Sequence, residues 1–298
     1  MKVQIPEELK KDVPQTQWGK LLVATPVVMT VVATLLAGLA SSEMTSAQYD
    51  RAYAAQLQSK AGDQWSYFQA KRLRSALQHN TLDLLQATTE VRAFDAAVFQ
   101  RIAPPADPAV IAALQTGEPP APPPAPPPET NLKAALLAVE TSKPETEIAE
   151  LLAKVEDRTL ADTLRAARDN VIAFDGATRP VNQGIERLEK ALTAGDKPLL
   201  RDFTAARIRY AAARYDAESR LNQTIANLLE LQVRKSNMAA ERHHKRSGKF
   251  FFGMLAAQAA VIIATFAIAA RQRNLLWTLA AVAGIAAVAF AIYVYLRV

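Results

Sequence analysis

Two stretches at the carboxy-terminal end limit what this chain can fold into more than any other feature. Phe250 to Ala270 is an apolar run of 21 residues broken only by Gln258. Arg271-Gln272-Arg273-Asn274 follows, and Leu275 to Leu296 is a second run of 22 residues without a charge. A helix needs about 20 residues at ~1.5 Å each to cross a ~30 Å hydrocarbon layer. Two such runs joined by four polar residues predict a transmembrane helical hairpin.

A third run lies near the other end. Met1 to Lys20 is a polar tail with four lysines, and Leu21 to Ala40 is uncharged although it holds Pro26, Thr30 and Thr34. A secretory signal peptide is the competing reading, with Gly38-Leu39-Ala40 as its small residues. The run is longer than the usual ~7–15-residue signal core, which favours an uncleaved first span. The formal charge of +6 comes largely from clusters beside these runs, so no nucleic-acid partner is implied. With no Cys the chain has neither disulfides nor thiolate metal sites.

Between the spans the pattern is helical. From Ser42 to Ala103 there is no Pro and only Gly62. Leu73, Leu77, Asn80, Leu84, Ala87, Val91, Phe94 and Val98 keep an alternating four-three spacing, the period of a coiled-coil seam with Asn80 as its polar member. After Lys197-Pro198 a matching stripe runs through Phe203, Ala206, Tyr210, Ala213, Ala217, Leu221, Ile225, Leu228 and Leu231. An antiparallel pair burying both stripes is the economical arrangement. Eleven of the 17 prolines fall from Pro104 to Pro128, which predicts an extended spacer. Shorter helices are expected at Asn131–Thr141, Pro144–Val155, Thr159–Phe174 and Pro180–Thr193, with breaks at Asp175-Gly176 and Gly195-Asp196.

The expected fold class is thus an all-α membrane protein, with three transmembrane helices, a long antiparallel coiled-coil-like stalk and a small helical cap. In residues this gives a tail at 1–20, spans at 21–40, 250–270 and 275–296, and stalk helices at 41–103 and 197–249. The linker is expected at 104–130 and the cap at 131–196.

Candidate sites are few. Arg242, Lys245, Arg246 and Lys249 form a juxtamembrane band suited to anionic lipid headgroups, at about 1 kcal/mol per basic residue. His243 and His244 point about 100° apart on a helix and read as part of that band rather than as metal ligands. His79 lies among polar neighbours with no triad arrangement around it. Gly253 with Ala257, and Ala280 with Gly284, have the small-residue spacing of close helix packing in a membrane, and Gln258 reads as an interhelical hydrogen bond. No catalytic, cofactor or metal motif occurs. Lys and Arg near the span ends number nine on the soluble side and six opposite, which favours a cytoplasmic stalk; the basic tail before the first span argues the reverse.

Asp63-Gln64-Trp65-Ser66-Tyr67-Phe68-Gln69-Ala70-Lys71 resembles the D-Q-W-x-[YF]-[YF]-Q-A-K segment of an uncharacterised family of bacterial membrane proteins, catalogued only as a domain of unknown function. The resemblance implies one amino-terminal span, a helical middle and a carboxy-terminal hairpin in the bacterial inner membrane. It implies no activity. This chain lacks the His- and Glu-rich tail of that family and adds the Pro-rich insertion. Physically the motif reads as a packing site: Trp65, Phe68 and Lys71 share one helix face, Asp63 and Tyr67 another edge, and Gln64 and Gln69 could bond across the helix pair. The alternative is a ligand or partner platform built on Trp65 and Tyr67.

The functional expectation is a non-enzymatic scaffold or assembly subunit, held in the lipid bilayer and associating with itself or another membrane protein. The alternatives are a transport-related or channel subunit, and a sensory adapter whose cap binds a ligand. Neither a cofactor nor a nucleic acid is expected.

Overall fold

The structure is a computed structural model that describes residues 17–98, 107–122, 124, 127–192, 197–269 and 273–297. The polar tail before residue 17, the Arg271-Gln272 turn and the Gly195-Asp196 break lie outside the described residues. Every regular element among them is an α-helix: α1 Gln17–Thr88, α2 Pro108–Thr116, α3 Thr130–Glu140, α4 Glu145–Ala153, α5 Asp157–Ala191, α6 Lys197–Ala269 and α7 Arg273–Arg297. Three of these, α1, α6 and α7, contain stretches long and apolar enough to cross a membrane. The residues form two compact units, one from 1–53 and 236–298, the other from 54–235.

α1 and α6 contribute to both units, and both bury a residue at every seventh position. On α1 these are Ala33, Ala40, Ala47, Ala54, Ala61, Phe68, Ser75 and Leu82, none more than 9 % exposed. On α6 they are Ala205, Ala212, Ser219, Ala226, Val233, Ala240 and Ser247. A seven-residue repeat keeps one stripe of each helix turned to its neighbour. Most of these side chains are small, so the backbones come close enough for serine hydroxyls to reach across. In the first unit Ser247 Oγ donates to Ala40 O at 2.7 Å, and in the second Ser75 Oγ donates to Ala212 O at 3.0 Å. Within each unit the contacts advance on one helix as they retreat on the other, so the pair is antiparallel. Ala40 meets Ser247 where Asp50 meets Ser236, and Lys71 meets Glu218 where Ser75 meets Ala212.

This seam is not the one read from the leucines. Leu73, Leu77 and Leu84 are 62, 54 and 65 % exposed, and Asn80 and Ala87 are exposed as well. They lie on the face of α1 opposite Phe68, Ser75 and Leu82. α6 took the stripe that allows the closer approach. α1 also ends at Thr88, well before the expected Ala103, and residues 90–95 run without regular structure. Val91 packs against Leu82, Ala205 and Ile208, while Phe94 and Val98 pack on the main cluster of the second unit.

In the first unit the spans meet through alanine and glycine. Ala257, Ala260, Ala264 and Ala267 on α6 and Ala280 on α7 are fully buried. A Cβ on Gly284 would lie 2.5 Å from Met29 Sδ, so α7 rests directly on α1 there. Many large side chains point outward, with Leu35, Phe266 and Ile285 each more than 60 % exposed, while Leu36, Phe250 and Val294 are buried.

The second unit has an ordinary core. Leu114 on α2, Val181, Ile185 and Leu188 on α5, and Phe203 and Tyr210 on α6 form its main cluster. α2 forms inside the expected extended spacer because its local signals outweigh proline density. Asp107 Oδ1 accepts from Ala109 N at 2.9 Å, Pro108 occupies the first turn, and Gly117 closes the helix at φ 74°. The neighbouring stretch 118–122 is irregular, as its prolines require.

α5 runs unbroken through Asp175-Gly176 and Pro180, where two helices were expected. Arg179 pairs with Asp175 at 2.8 Å, and Phe174, Thr178 and Val181 are buried across the junction, so packing overrides the local break signal. The shorter helices lie along α6 at two levels that α5 connects. α3 and α4 lie along α6 near residues 227–235, where Glu140 accepts from Asn227 Nδ2 at 3.0 Å and Glu145 pairs with Arg234. α2 and the later part of α5 lie against Leu199, Phe203 and Tyr210.

Candidate functional site

Polar side chains are concentrated three residues after the buried ones along the α1 seam. Glu43, Asp50, Gln64, Lys71 and Gln78 follow Ala40, Ala47, Ala61, Phe68 and Ser75 at that interval, and all five are partly buried. Each faces α6 because a seven-residue stripe has two buried positions per repeat.

The motif lies across two such repeats in the second unit. Trp65 Nε1 donates to Glu230 Oε1 at 2.9 Å, and its ring meets Phe68 edge-on with centroids 5.4 Å apart. Lys71 Nζ lies 2.5 Å from Glu218 Oε2 and 5.4 Å from the centre of the Tyr215 ring. Glu218 also accepts from Arg214 Nη1 at 2.7 Å, so two cations share one carboxylate at 14 % exposure. Gln64 faces the same helix, but its buried Oε1 has no hydrogen-bond partner among the described residues. Asp63, Tyr67 and Gln69 are exposed. The structure thus brings Gln64, Trp65, Phe68 and Lys71 together and leaves the other three in solvent. Trp65 and Tyr67 lie on different faces and form no platform; Gln69 does not bond across the pair.

Glu230 and Glu218, which complete the motif, were not singled out from the sequence. Neither was the layer in the first unit, where His243 Nδ1 lies 2.6 Å from Glu43 Oε2 and Nε2 3.8 Å from Asp50 Oδ2. The signal that could have found both is the spacing of Ala33, Ala40, Ala47, Ala54 and Ala61, with an acid three residues after the second and third. Among the described residues no group of three or more His, Cys, Asp or Glu side chains is placed to hold a metal ion. His79 and His244 are exposed.

Of the basic band, Arg242 and Lys245 are exposed, and Lys245 lies 3.5 Å from Glu241 Oε1. Arg246 and Lys249 are half-buried, with Arg246 Nε unpartnered. Gly253 and Ala257 are buried on the inner face of α6, and Gly284 on that of α7. Gln258 is not an interhelical bond. It is exposed, without a partner among the described residues, and borders a cleft with Thr30 and Thr34. The inner face passes through Ala257, and the next residue lies about 100° around the helix.

One polar cleft of about 470 Å³ opens in the second unit among Asn182, Glu186, Glu189, Arg207, Tyr210 and Arg214. Tyr210 donates to Asn182 Oδ1 at 3.1 Å, and burial pushes its hydroxyl up to about 12, against the smaller pull of Arg214. Arg207 pairs with Glu189 at 3.2 Å. The cleft can hold a small polar molecule, but its cations are already shared with carboxylates.

The comparisons with known proteins reach part of the chain. No curated protein and no solved structure matches it. A family model described as "Domain of unknown function (DUF4337)" matches residues 19–107, which takes in nearly all of α1 and the Asp63–Lys71 motif but neither α6 nor α7. The long seamed helix is therefore the part of this chain that is similar to a known family, one without an assigned role.

Proposed function

We propose that the protein is a non-enzymatic helical scaffold or assembly subunit anchored in the bacterial inner (cytoplasmic) membrane by three spans. One observation carries this reading: the charged groups along the α1 seam are committed to neighbours. Lys71 is held by Glu218, Glu230 by Trp65, and Glu43 by His243. Side chains used in this way join helices rather than react with a substrate. The outward Leu35, Phe266 and Ile285 support the lipid bilayer as solvent for the first unit. The scaffold works by holding copies of itself, or another membrane protein, at a fixed helical surface. The excess of Lys and Arg on the side of residues 41–249 favours a cytoplasmic position for that surface, against the basic tail before the first span, and a compartment reporter fused at Val298 tests it. The scaffold itself is tested by light scattering in mild detergent together with crosslinking in cells. A monomer with no crosslinked products would sink it.

A second reading has the polar cleft on its side: a sensory adapter whose ligand binds between α5 and α6. Crosslinking between α1 and α6 that changes when a cell extract of small molecules is added would favour it. No change would leave the scaffold.

A further inference from the structure

α1 carries two heptad stripes, and only one is occupied. The inner stripe, Phe68, Ser75 and Leu82, meets α6. The outer stripe, Leu73, Leu77, Asn80, Leu84 and Ala87, has the same period on the opposite face, and nothing among the described residues covers it. Solvated helix faces are polar as a rule, and leucines on them are scattered singly. Three leucines in four-three spacing around one asparagine form a seam without its partner.

We propose that the outer stripe of α1 pairs with the same stripe of a second copy of this chain, in parallel and in register. Three observations select a second copy over another helix. The Asn80 amide is both donor and acceptor, so in a parallel pair it satisfies its own copy, whereas an apolar partner helix would leave it unbonded. The stripe itself holds no charged residue: the flanking Arg72 and Arg74 fold towards the inner side, over Phe68 at 5.8 Å and Tyr215 at 5.9 Å, which leaves Asp83 as an exposed charge at its edge. Lastly, every copy in one bilayer carries residues 41–249 on the same side of it, so the stripes of neighbouring copies can meet there. This last point rests on the membrane-anchored scaffold proposed above.

The test uses the absence of cysteine from the chain, since any introduced thiol is then the only one. Full-length Leu77→Cys and Leu84→Cys variants are oxidised in native membranes, with His79→Cys and Gln86→Cys as exposed positions off the stripe. A disulfide forms only where Cα atoms come within about 7 Å, so the stripe positions should give about tenfold more dimer than the off-stripe positions. Adding Asn80→Asp, which sets two carboxylates against each other, should remove most of that dimer while helical content by circular dichroism stays unchanged. Equal crosslinking at all four positions, or a product whose mass is not twice that of the chain, overturns the pairing. Failure of the scaffold reading looks different. Wild-type protein still joined by a lysine-reactive crosslinker while the stripe positions stay monomeric refutes only this surface. No crosslinked product of any kind refutes both.

Discussion

The first unit of this protein buries mostly alanine, the second mostly large apolar side chains. In the first, Ala257, Ala264 and Ala280 are at 0 % exposure while Leu35, Phe266 and Ile285 stand at 63, 65 and 69 %. In the second, Leu114, Leu132, Leu152 and Phe203 are at 0 %. Water drives large apolar groups inward because each fully buried one gains about 1.5–3 kcal/mol. Lipid tails offer no such gain, and helices in them associate by close packing of small residues. The alanine-rich interior of the first unit is the kind that packing in a bilayer favours, and its apolar helices are long enough to cross one. What the two units share is the small-residue seam of α1 and α6, which works in both because it depends on backbone approach rather than on area.

The contrast is broken most severely by truncating the watery core. Phe203→Ala should cost about 3–5 kcal/mol and unfold the second unit at much lower denaturant, measured by protease resistance in detergent. The equivalent change at Phe266 should cost almost nothing, since it removes contacts to lipid and not to protein. If Phe266→Ala destabilises as much as Phe203→Ala, the first unit is not solvated by lipid. The reverse substitution sharpens the same point. Ala257→Phe overpacks a fully buried contact and should lose about 1–3 kcal/mol of thermal stability in detergent. A loss of similar size is expected at the motif. Glu230→Ala leaves Trp65 Nε1 without its acceptor, at a cost of about 1–3 kcal/mol. Glu230→Gln keeps the acceptor and should recover most of it, by denaturant midpoint. No recovery would mean that Glu230 matters for its charge and not for Trp65.

The same contrast decides what was legible in the sequence. The spans could be read from run length, because a bilayer imposes that length on any helix. The helical class was legible from period, and the antiparallel return from the apolar runs that adjoin both long helices. The choice of seam was not. Leu73, Leu77 and Leu84 are the larger side chains, and burial by size would have put them inside. α1 instead turned Ala47, Ala54, Ala61 and Ser75 to its neighbour, since those let Ser75 reach a backbone carbonyl. The shared face of Trp65, Phe68 and Lys71 could be read from their spacing, but their contacts Glu218 and Glu230 could not, because these lie far along the chain and carry no local signature. In α2, Asp107, Pro108 and Gly117 spelled out a helix that the surrounding prolines masked. At α5 the turn signal in Asp175-Gly176 was real but weaker than the burial of Phe174 and Val181 on either side.

The smallest effect is expected at Tyr210, which gives the second unit a pH dependence. Its hydroxyl is neutral in the fold and pushed up to about 12 by burial, from an ordinary value of 10.0. A raised acid favours its protonated form in the native state, so the stabilisation is complete below pH ~10 and is lost as pH rises towards ~12. Tyr210→Phe deletes the ionisable group together with the bond to Asn182 Oδ1, which should cost about 0.5–1.5 kcal/mol at neutral pH. The variant should then lose less stability than wild type between pH 10 and 12, so the two denaturation midpoints converge as pH rises. Parallel midpoints over that window would mean that the hydroxyl reaches solvent in the native state, and that the cleft beside Arg214 is open enough to hydrate it.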